Sequence, residues 1–590
     1  MNTNIYDFVT ESVAGFLRPI EIAEGWSWSF KDFIRKSFLY KNSQFEREND
    51  NRDKRPFKNI IRPILNIQYR TEGFDVKDIE LFVNSAKSYY KSFLVKKFHE
   101  KWAVENGMDT FIDELVESYV DYGGTLVKKT MDARPEVVDL QSLAFCDQTN
   151  ILSGTFAIKH FFSPQELRDM GTSGWGDKTK GATMDLETLI KLARPEKKKD
   201  YGTKSDTPSK YIEVFEVHGI FKNAWLKGED ETYTPQVHII AFYKGDANDV
   251  GVTLFSVKEP KLPFKFLARD KIYGRALGFG GVEELFEPQV WANYSEIQIR
   301  EMLELAGKTL FKSTDPSFKT KNKIVDMENG QILDLKQGTD IGQLDTTPRN
   351  LVIFANAVER WEQHALRMGA AGESLMGESP SAGTPFKLQE LVVGEAKSLH
   401  KWRQGKIAVF VDEIYRDWIL PHIASEITKG QEFLAELTAD ELQSVSDSVS
   451  NNLANQMAIE RILNGQLVSQ EEIMATKIQS RDVFLRGGNE RFIEILKDEM
   501  KGEKLDVSTN IAGKQKNLSL LTDKIVNVLR QFIATPEIRQ DPGMIKLLNT
   551  ILESSGMSPV MFGTMGATPI QPSQATQPLQ QLSKLNQPAT

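Results

Sequence analysis

The intervals between apolar residues predict helices over most of the first part of the chain. One stripe of apolar residues recurs every three or four positions, and acidic residues occupy the other side of the same turns, as in an amphipathic helix. This stripe consists of Phe111, Leu115, Val116 and Tyr119. The Gly123-Gly124 pair that follows has the chemistry of a helix C-cap and predicts the end of that helix. Residues 5–129 are therefore predicted to be mainly helical.

Short runs of β-branched and aromatic residues, each bounded by Gly, Pro or Asp, predict strands in the next part of the chain. They lie at residues 125–129, 136–140, 156–162, 211–220, 236–243, 252–257 and 263–267. Ser163-Pro164 supplies an N-cap and a first-turn proline, which predicts a short helix over residues 165–170. Because repeated βαβ units are missing from this pattern, the prediction is an α+β fold with a mostly local sheet.

A helix, a small β insert and a second helix are predicted next. The first helix, residues 283–305, has two apolar faces, which indicates packing on more than one side, and Pro288 either belongs to its first turn or kinks it. Asn329-Gly330 is a strong hairpin dipeptide and predicts a turn within the β insert. Thr347-Pro348 has the N-cap and first-turn chemistry that predicts the start of the second helix.

A loop of small residues follows the second helix and leads to the longest predicted helix. Thr384-Pro385 begins this helix, which extends to about residue 418, roughly 50 Å at about 1.5 Å per residue. Charged residues interrupt its apolar run at residues 407–419 at helical intervals, which favours a core helix over a membrane span. The pattern then stays helical up to a tail rich in Gln, Pro, Ser and Thr, residues 569–590, which is predicted to be flexible.

Composition and charge exclude several classes of function. The 590 residues include 82 acidic and 73 basic side chains, and the net charge of −9 argues against a protein that binds a polyanion over its whole surface. Cys146 is the one cysteine of the sequence. A single cysteine excludes an intramolecular disulfide, a thiolate zinc site and an iron–sulfur cluster within one chain, and it favours a reducing compartment. We expect neither an export signal nor a membrane span.

The sequence offers no arrangement that predicts catalysis, a metal or a cofactor. The histidines are scattered along the sequence. His218 and His238 could contact each other across neighbouring strands, but for each of them an isolated core or surface histidine is favoured. Gly307-Lys308-Thr309 resembles the end of a phosphate-binding loop. Met302 stands where the first glycine of that motif belongs, so a helix that ends at Gly307 is favoured. The prediction is a protein that is not an enzyme.

Charged residues gather at two places around the predicted helix, β insert and helix. Glu283 and Glu284 come first, and we expect them to be solvated rather than to act as an acid–base pair. A group of lysines lies in the β insert, close to Phe311 and Phe318: Lys308, Lys312, Lys319, Lys321 and Lys323. Two interpretations stay open, contacts to the phosphates and bases of a nucleic acid or a solvated rim that faces a protein partner, and the second is favoured.

The order of these segments resembles the portal proteins of tailed bacteriophages. The stretches that carry the resemblance are YGGTLV at residues 122–127, PEVV at 135–138, GGVEELF at 280–286 and GESPSAGTP at 377–385, together with Gln289 and Asn293. In that family an α+β wing leads into a stem helix, a small β-containing clip and a returning stem helix. A tunnel loop, a long wing-spanning helix and a mostly helical crown follow.

The resemblance implies a division of the chain and a role for three sets of residues. The division is wing 1–282, stem helices 283–306 and 349–369, clip 307–348, tunnel loop 370–385, long wing helix 386–430, helical crown 431–558 and flexible tail 559–590. The expected lining of the channel is Gly372, Glu373, Ser374, Glu378, Ser379, Ser381 and Thr384. The five lysines of the β insert are expected to dock partners. The residues expected to pack the stem are Val290, Tyr294, Ile297, Phe354, Val358 and Trp361.

The resemblance also implies a function and a set of partners. The chain would form a ring, usually of about twelve copies, at one capsid vertex beside the major capsid protein, after assembly in the host cytoplasm. Double-stranded DNA would pass through the channel in weak, non-specific contact, which a lining of small and acidic residues suits better than a basic one. The terminase packaging motor, and then neck, adaptor and tail proteins, would dock on the clip, with no membrane or cofactor involved. Two other classes stay open: a nucleic-acid-processing enzyme with carboxylate-bound magnesium, and a different capsid or adaptor protein.

Overall fold

The fold is that of a computed structural model, which describes residues 4–13, 16, 18–45, 55–83, 89–130, 133–192, 211–226, 232–244, 249–308, 310–314, 337–338, 341–345, 347–348, 350–371, 375, 397–429, 446, 450, 454, 457–462, 468–486 and 505–509. The chain divides into two compact units. The first unit comprises Met1–Glu436 and Gly487–Lys514, and the second comprises Leu437–Arg486 and Gln515–Thr590.

The beginning of the first unit is mainly helical, as predicted, but short strands interrupt the helices. In chain order its elements are α1 (Ile5–Asp7), β1 (Ile20–Ala23), β2 (Trp26–Trp28), α2 (Phe30–Lys41), α3 (Ile61–Glu72), β3 (Ile79–Val83), α4 (Tyr89–Glu105) and α5 (Met108–Tyr122). The sequence pattern does not predict β1, β2 and β3. These strands are three to five residues long, too short for an alternating pattern to emerge.

Two antiparallel sheets form the middle of the first unit. Their strands and helices are β4 (Gly124–Lys129), β5 (Pro135–Val137), β6 (Leu143–Phe145), β7 (Phe156–Phe162), α6 (Pro164–Asp169), α7 (Leu186–Leu192), β8 (Ile212–Lys222), β9 (Tyr233–Lys244), β10 (Asp249–Lys258) and β11 (Phe264–Ala268). Strands β6 to β10 pair in sequence order as a five-stranded meander, and β11, β4 and β5 form a three-stranded sheet. The predicted α+β class and its mostly local sheet are confirmed.

Two helices joined through a pair of strands come next, in the order that the sequence predicts. These elements are α8 (Gly281–Glu284), α9 (Phe286–Ala306), β12 (Leu310–Ser313), β13 (Ile341–Leu344) and α10 (Leu351–Met368). Pro288 lies in the first turn of α9, and Gly307 caps its end, as expected. The predicted N-cap of α10 is wrong, because the helix begins after Asn350. The backbone N–H of Thr347 instead donates to Asp345 Oδ1 at 3.0 Å, which holds that residue in a turn.

A long helical stretch completes the core of the first unit. It comprises α11 (Ser398–Ile414), a π-helical turn (Tyr415–Ile419) and α12 (Leu420–Lys429), so it extends beyond the predicted end near residue 418. Ile407, Val411 and Ile414 are fully buried, in one hydrophobic cluster with residues of α3 and α5. The predicted core position of this helix is confirmed. In the described part of the chain, no helix has the length and apolar character needed to cross a membrane.

Beyond α12 the described residues include a helix and a strand, and residues 457–462 are helical as well. Helix α13 (Gln470–Arg486), in the second unit, confirms the helix predicted there. Strand β14 (Leu505–Thr509) lies in a region that the sequence analysis expected to be mostly helical, and it pairs antiparallel with β3 in the first unit. The flexible tail predicted for residues 569–590 lies outside the described residues.

Candidate functional site: a helical hairpin and its attachment

Helices α9 and α10 lie side by side as an antiparallel hairpin. The Trp291 ring stacks on the Trp361 ring with 6.2 Å between centroids, and Leu310 of β12 lies opposite Leu344 of β13. Since α9 leads into β12 and β13 leads into α10, the two helices run in opposite directions. With 21 residues, α9 is roughly 30 Å long. The hairpin therefore has a near end, where α9 begins and α10 ends, and a far end that carries β12 and β13.

The single chain buries the near end of the hairpin and leaves apolar side chains exposed at the far end. The buried residues of the two helices are Pro288, Gln289, Ala292, Asn293, Ser295, Val358 and Ala365. Six large apolar side chains at the far end are 40% to 66% exposed: Leu303, Leu305, Leu310, Leu344, Val352 and Ile353. An exposed apolar set of this size is typical of an interaction surface.

The six residues expected to pack the stem all lie on the hairpin, but they differ in burial. Val358 is buried, and Tyr294 is 51% exposed. The other four, Val290, Ile297, Phe354 and Trp361, are half-buried. Trp361 packs against Trp291 of the facing helix. Their packing against a neighbouring copy stays a prediction.

Two buried amides attach α9 to the segment that begins α3. Gln289 Nε2 donates to the carbonyl oxygen of Lys58 at 2.6 Å, and its Oε1 accepts from the backbone N–H of Ile60 at 2.9 Å. Asn293 Oδ1 accepts from the backbone N–H of Lys58 at 3.0 Å and from Gln289 Nε2 at 3.0 Å. Buried backbone groups need such partners. Gln289 and Asn293, two residues of the resemblance, therefore hold the base of the hairpin.

Gln289→Leu should lower the free energy of unfolding by about 1–3 kcal/mol, because it leaves the carbonyl of Lys58 and the N–H of Ile60 buried without this partner. The measurement is the urea midpoint of the full chain. Gln298→Leu on the same helix is the matched control, since the Gln298 amide donates to Glu301 at the surface. Equal midpoints for the two variants would contradict the role given to Gln289.

Lys58 also connects the two helices of the hairpin. Its Nζ lies 2.8 Å from Glu362 Oε1 of α10 and 3.6 Å from Glu296 Oε1 of α9. Burial lowers the pKa of Lys58, but the hydrogen bond to Glu362 and the two carboxylate charges outweigh burial and raise it. All three side chains are partly exposed, so this contact orients the helices more than it stabilises them.

The two glycine motifs of the resemblance lie against each other at the base of the hairpin. Gly123 ends α5 with φ +73°, and its carbonyl oxygen accepts from the N–H groups of Arg269 (2.9 Å) and Gly278 (3.0 Å). A Cβ at Gly123 would lie 2.5 Å from the oxygen of Gly278, and one at Gly280 would lie 2.5 Å from the oxygen of Asp121. Only glycine allows the backbones to approach this closely. The motifs therefore fix where the hairpin leaves the three-stranded sheet.

An ionic cluster of buried and half-buried side chains joins α3, the segment just after β11, α8 and α11 beside this point. It consists of Glu72, Arg269, Asp270, Glu284, His400 and Arg403. Glu72 Oε1 lies 2.7 Å from Arg269 Nη2, 3.0 Å from His400 Nδ1 and 3.5 Å from Arg403 Nη1. His400 Nε2 lies 3.1 Å from the carbonyl oxygen of Ala370, just after α10. The cluster thus contacts the near end of the hairpin from both helices, through Glu284 of α8, just before α9, and through Ala370, just after α10.

The charges of the ionic cluster compensate the cost of burying them. Burial alone would raise the pKa of Glu72, but Arg269, the hydrogen bond from His400 and the charge of Arg403 outweigh it, so that pKa lies below its usual value. Burial raises the pKa of Glu284, and Arg403 and Arg269 oppose this only in part. A buried carboxylate such as Glu72 is stable only while these cations remain beside it.

The expectation that Glu283 and Glu284 are solvated is wrong. The side chain of Glu284 is 15% exposed and lies 4.0 Å from Arg403. Glu283 accepts two hydrogen bonds from Arg275, from Nη1 to Oε1 at 2.9 Å and from Nη2 to Oε2 at 2.6 Å. The buried guanidinium of Arg275 also lies over the Trp28 ring, 5.2 Å from its centroid. Both glutamates therefore help to hold α8, with no sign of acid–base chemistry between them.

The sequence-predicted docking and channel residues are described only in part. Lys308 and Lys312 are exposed beside and within β12, at the far end of the hairpin. Lys319, Lys321 and Lys323 lie outside the described residues. The expected channel lining also lies outside them: Gly372, Glu373, Ser374, Glu378, Ser379, Ser381 and Thr384. Their roles stay predictions.

His218 and His238 do not meet, although they lie on neighbouring strands. His218 is opposite Val237 and His238 is opposite Val217. Because side chains alternate along a strand, the two histidines point to opposite faces of the sheet. Neither is solitary, since His218 contacts two glutamates and His238 contacts Gln236 and Ser256. Within the described residues, no group of three or more His, Cys, Asp or Glu side chains has a geometry that holds a metal.

The ionic cluster is not predicted from the sequence, although the pattern of α3 contains a signal for it. Ile61, Leu65, Gln68 and Glu72 are spaced by four, three and four residues, which places them on one helix face, and all four are buried. Two polar residues on a core stripe indicate a buried polar partner. The partners themselves, Arg269 just after β11 and His400 on α11, follow about 200 and 330 residues later, which no local pattern connects.

Comparisons with known proteins give no family. No protein-family model matches the chain, and no curated protein matches it. One solved structure, described as "Virion of native gene transfer agent (GTA) particle", contains a chain with 8% identity and a TM-score of 0.26, over 80% of this chain and 99% of that chain. A chain of "Neck of empty GTA particle computed with C6 symmetry" has 10% identity and a TM-score of 0.27, over 78% and 99%. Similarities this low carry no argument about function.

Proposed function

We propose that this chain is a virion structural protein of the portal class, without enzymatic activity. In this proposal it forms a ring at one capsid vertex, through which double-stranded DNA is packaged and ejected, and on which the packaging motor and the neck and tail proteins dock. The observation that carries the proposal is the hairpin of α9 and α10. Its near end is held in the core, while its far end exposes six large apolar side chains.

The exposed far end supports a closed ring of copies. The six large apolar side chains are already partly buried in the single chain, so a neighbour that covers the exposed part of one of them contributes roughly 0.5–2 kcal/mol. In a ring every subunit contacts two neighbours through two different faces. A hairpin of two helices that lie side by side has two such faces. Gln289, Asn293 and the ionic cluster hold the near end, which keeps the hairpin at a fixed angle to the sheets. The hairpins of all copies then lie around the common axis of the ring.

The proposal assigns roles to segments by this geometry and by the resemblance. The wing is residues 1–282, the stem is α9 and α10, and the clip is the region between them, where Lys308 and Lys312 face partners. Residues 370–385, rich in small and acidic residues, serve as the tunnel loop beside DNA. The major capsid protein surrounds the ring in the finished virion.

Native mass spectrometry and negative-stain imaging of the purified full chain at moderate salt test the proposal. A closed ring of about a dozen copies with a central hole is the expected result. A monomer that persists at every concentration would contradict it. Metal-dependent cleavage of DNA by that monomer would favour the nucleic-acid-processing enzyme instead.

Ile353→Asp should prevent ring formation while the single chain stays folded, because Ile353 is 65% exposed and its burial is expected only between copies. Ile220→Asp is the matched control, since this isoleucine is 64% exposed on β8, away from the hairpin. The measurements are native mass for assembly and circular dichroism for folding. Rings of Ile353→Asp at the wild-type concentration would count against the stem interface.

A further inference from the structure

A second group of buried charges joins the two sheets of the first unit. Its members are Lys128 on β4, His160 on β7, Glu216 and His218 on β8, and Glu259 just after β10. We call this group the inter-sheet cluster. Lys128 belongs to the three-stranded sheet, whereas the other members lie on or next to the five-stranded sheet. Neither the hairpin nor the proposed function uses these residues.

His218 lies at the centre of the inter-sheet cluster, between two carboxylates. Its Nδ1 is 2.6 Å from Glu259 Oε2, and its Nε2 is 2.9 Å from Glu216 Oε1. An ionised carboxylate only accepts hydrogen bonds, so both ring nitrogens must donate. A neutral imidazole has a single N–H, whereas the imidazolium has two. This geometry therefore fits the positively charged form of His218.

Aromatic rings and further cations complete the surroundings of His218. Its ring stacks on Phe156 of β7 with 5.1 Å between centroids and meets the edge of Phe264 of β11 at 4.8 Å, and the side chain is 1% exposed. Glu216 Oε2 accepts from Lys128 Nζ at 2.6 Å and lies 2.8 Å from His160 Nε2. The proton on His218 thus compensates two carboxylates that are largely removed from water, since Glu216 is 5% and Glu259 is 14% exposed.

We propose that the proton on His218 is a switch that holds the five-stranded sheet against the three-stranded sheet, and that its loss in alkaline solution loosens this contact. Without the proton, one ring nitrogen becomes an acceptor that faces a carboxylate oxygen at under 3 Å. Two buried acceptors in contact cost free energy, because neither is hydrated or bonded. The contacts that Phe264 and Lys128 of the three-stranded sheet make with this cluster are then weaker.

The electrostatics give the direction of the pH dependence. Burial lowers the pKa of His218, but the hydrogen bonds to Glu216 and Glu259 outweigh burial, so the pKa is raised. The stabilising effect of this histidine is complete below its unfolded value of about 6.5 and is lost as the pH rises through the folded pKa. Glu216 keeps its charge over this range, because the charge of Lys128 and the hydrogen bonds from His160 and His218 outweigh burial and hold its pKa well below the usual value. His238, on the other face, stays neutral because burial lowers its pKa to about 4.

Two measurements on the full chain test the switch. Hydrogen exchange at histidine C2, followed by mass spectrometry against pH, gives the titration midpoint of His218, which should lie above about 6.5. Backbone amide exchange of β4, β8 and β11, corrected for the intrinsic rate, should accelerate between about pH 6.5 and that midpoint by up to about tenfold for each pH unit, as one lost proton requires, and should level off above the midpoint.

Glu259→Gln is the informative variant, because its side-chain oxygen still accepts from His218 Nδ1 but carries no charge. We expect the midpoint of His218 and the pH at which amide exchange levels off to move together to lower pH. Glu213→Gln is the matched control, since Glu213 lies on the same strand but pairs with Lys159 at the surface. A midpoint of His218 below 6 in the wild type, or the same exchange profile in wild type and Glu259→Gln, would overturn the proposal. If Glu259→Gln fails to fold, the wild-type midpoint alone decides.

Discussion

Arg269→Met is expected to lower the free energy of unfolding of the first unit by about 3–5 kcal/mol. The substitution keeps an unbranched side chain of similar length but removes the cation 2.7 Å from the Glu72 carboxylate. Both side chains are fully buried, so water cannot replace the lost partner. His400 and Arg403 remain beside Glu72 and limit the loss without cancelling it. Urea denaturation of the full chain, followed by tryptophan fluorescence, measures the change.

The same substitution at an exposed ion pair is the control for Arg269→Met. Arg168 donates to Glu187 at 2.6 Å on the surface, between α6 and α7, and Arg168→Met should leave the midpoint almost unchanged. A double variant, Arg269→Met with Glu72→Leu, should recover part of the stability, because it removes the isolated carboxylate as well. If Arg269→Met and Arg168→Met unfold at the same urea concentration, the ionic cluster does not hold the base of the hairpin.

Gly123→Ala should have the second large effect, a loss of about 2–5 kcal/mol. Part of this loss, about 1–2 kcal/mol, comes from placing an L side chain at φ +73°. The rest comes from overpacking, since the new Cβ lies 2.5 Å from the carbonyl oxygen of Gly278 and 2.7 Å from the N–H nitrogen of Gly280. Both neighbours are backbone atoms, which cannot rotate away. Thermal and urea midpoints of the full chain report the loss.

Gly107→Ala separates the two contributions. Gly107 precedes the same helix, α5, with φ +63°, and a Cβ there meets nothing within 4 Å. Its substitution should therefore cost only the backbone part, about 1–2 kcal/mol. An equal loss in both variants would mean that the segment around Gly278 moves aside, and that the contact between the two glycine motifs does not fix the hairpin.

Local elements of this fold could be predicted from the sequence because their causes are local. The strand at Phe156–Phe162, the helix that begins at Ser163 and the end of α5 at Gly123 all agree with the expectations from apolar spacing and cap chemistry. The order of helix, strands and helix in the hairpin could also be predicted from the sequence. Strand β14 was not, because its partner β3 lies about 420 residues earlier in the sequence and pairing at that distance leaves no local pattern.

The sequence predicts the helices and strands of the candidate site better than it predicts the buried charges. Because glutamate and arginine are usually exposed, the sequence predicts that Glu283 and Glu284 are solvated. The partners that bury them come together only through tertiary contacts. Glu216 and His218 do continue the alternation of Ile212 and Val214 on one face of β8, which places them on a buried face. The pattern therefore indicates that these polar residues are inside, but it does not identify what compensates them.

The pairing of β3 with β14 has a consequence for the order in which the chain folds. β3 leaves the ribosome early, whereas Leu505–Thr509 follows about 420 residues later, which is roughly 20–90 s at common rates of synthesis. During that interval the edge of β3 that β14 will occupy is free to pair with another strand. The newly made chain therefore stays prone to aggregate through this whole interval, until one short strand late in the sequence has been made. Chaperone capture of β3 in this interval, or faster synthesis that shortens it, protects the yield of folded protein.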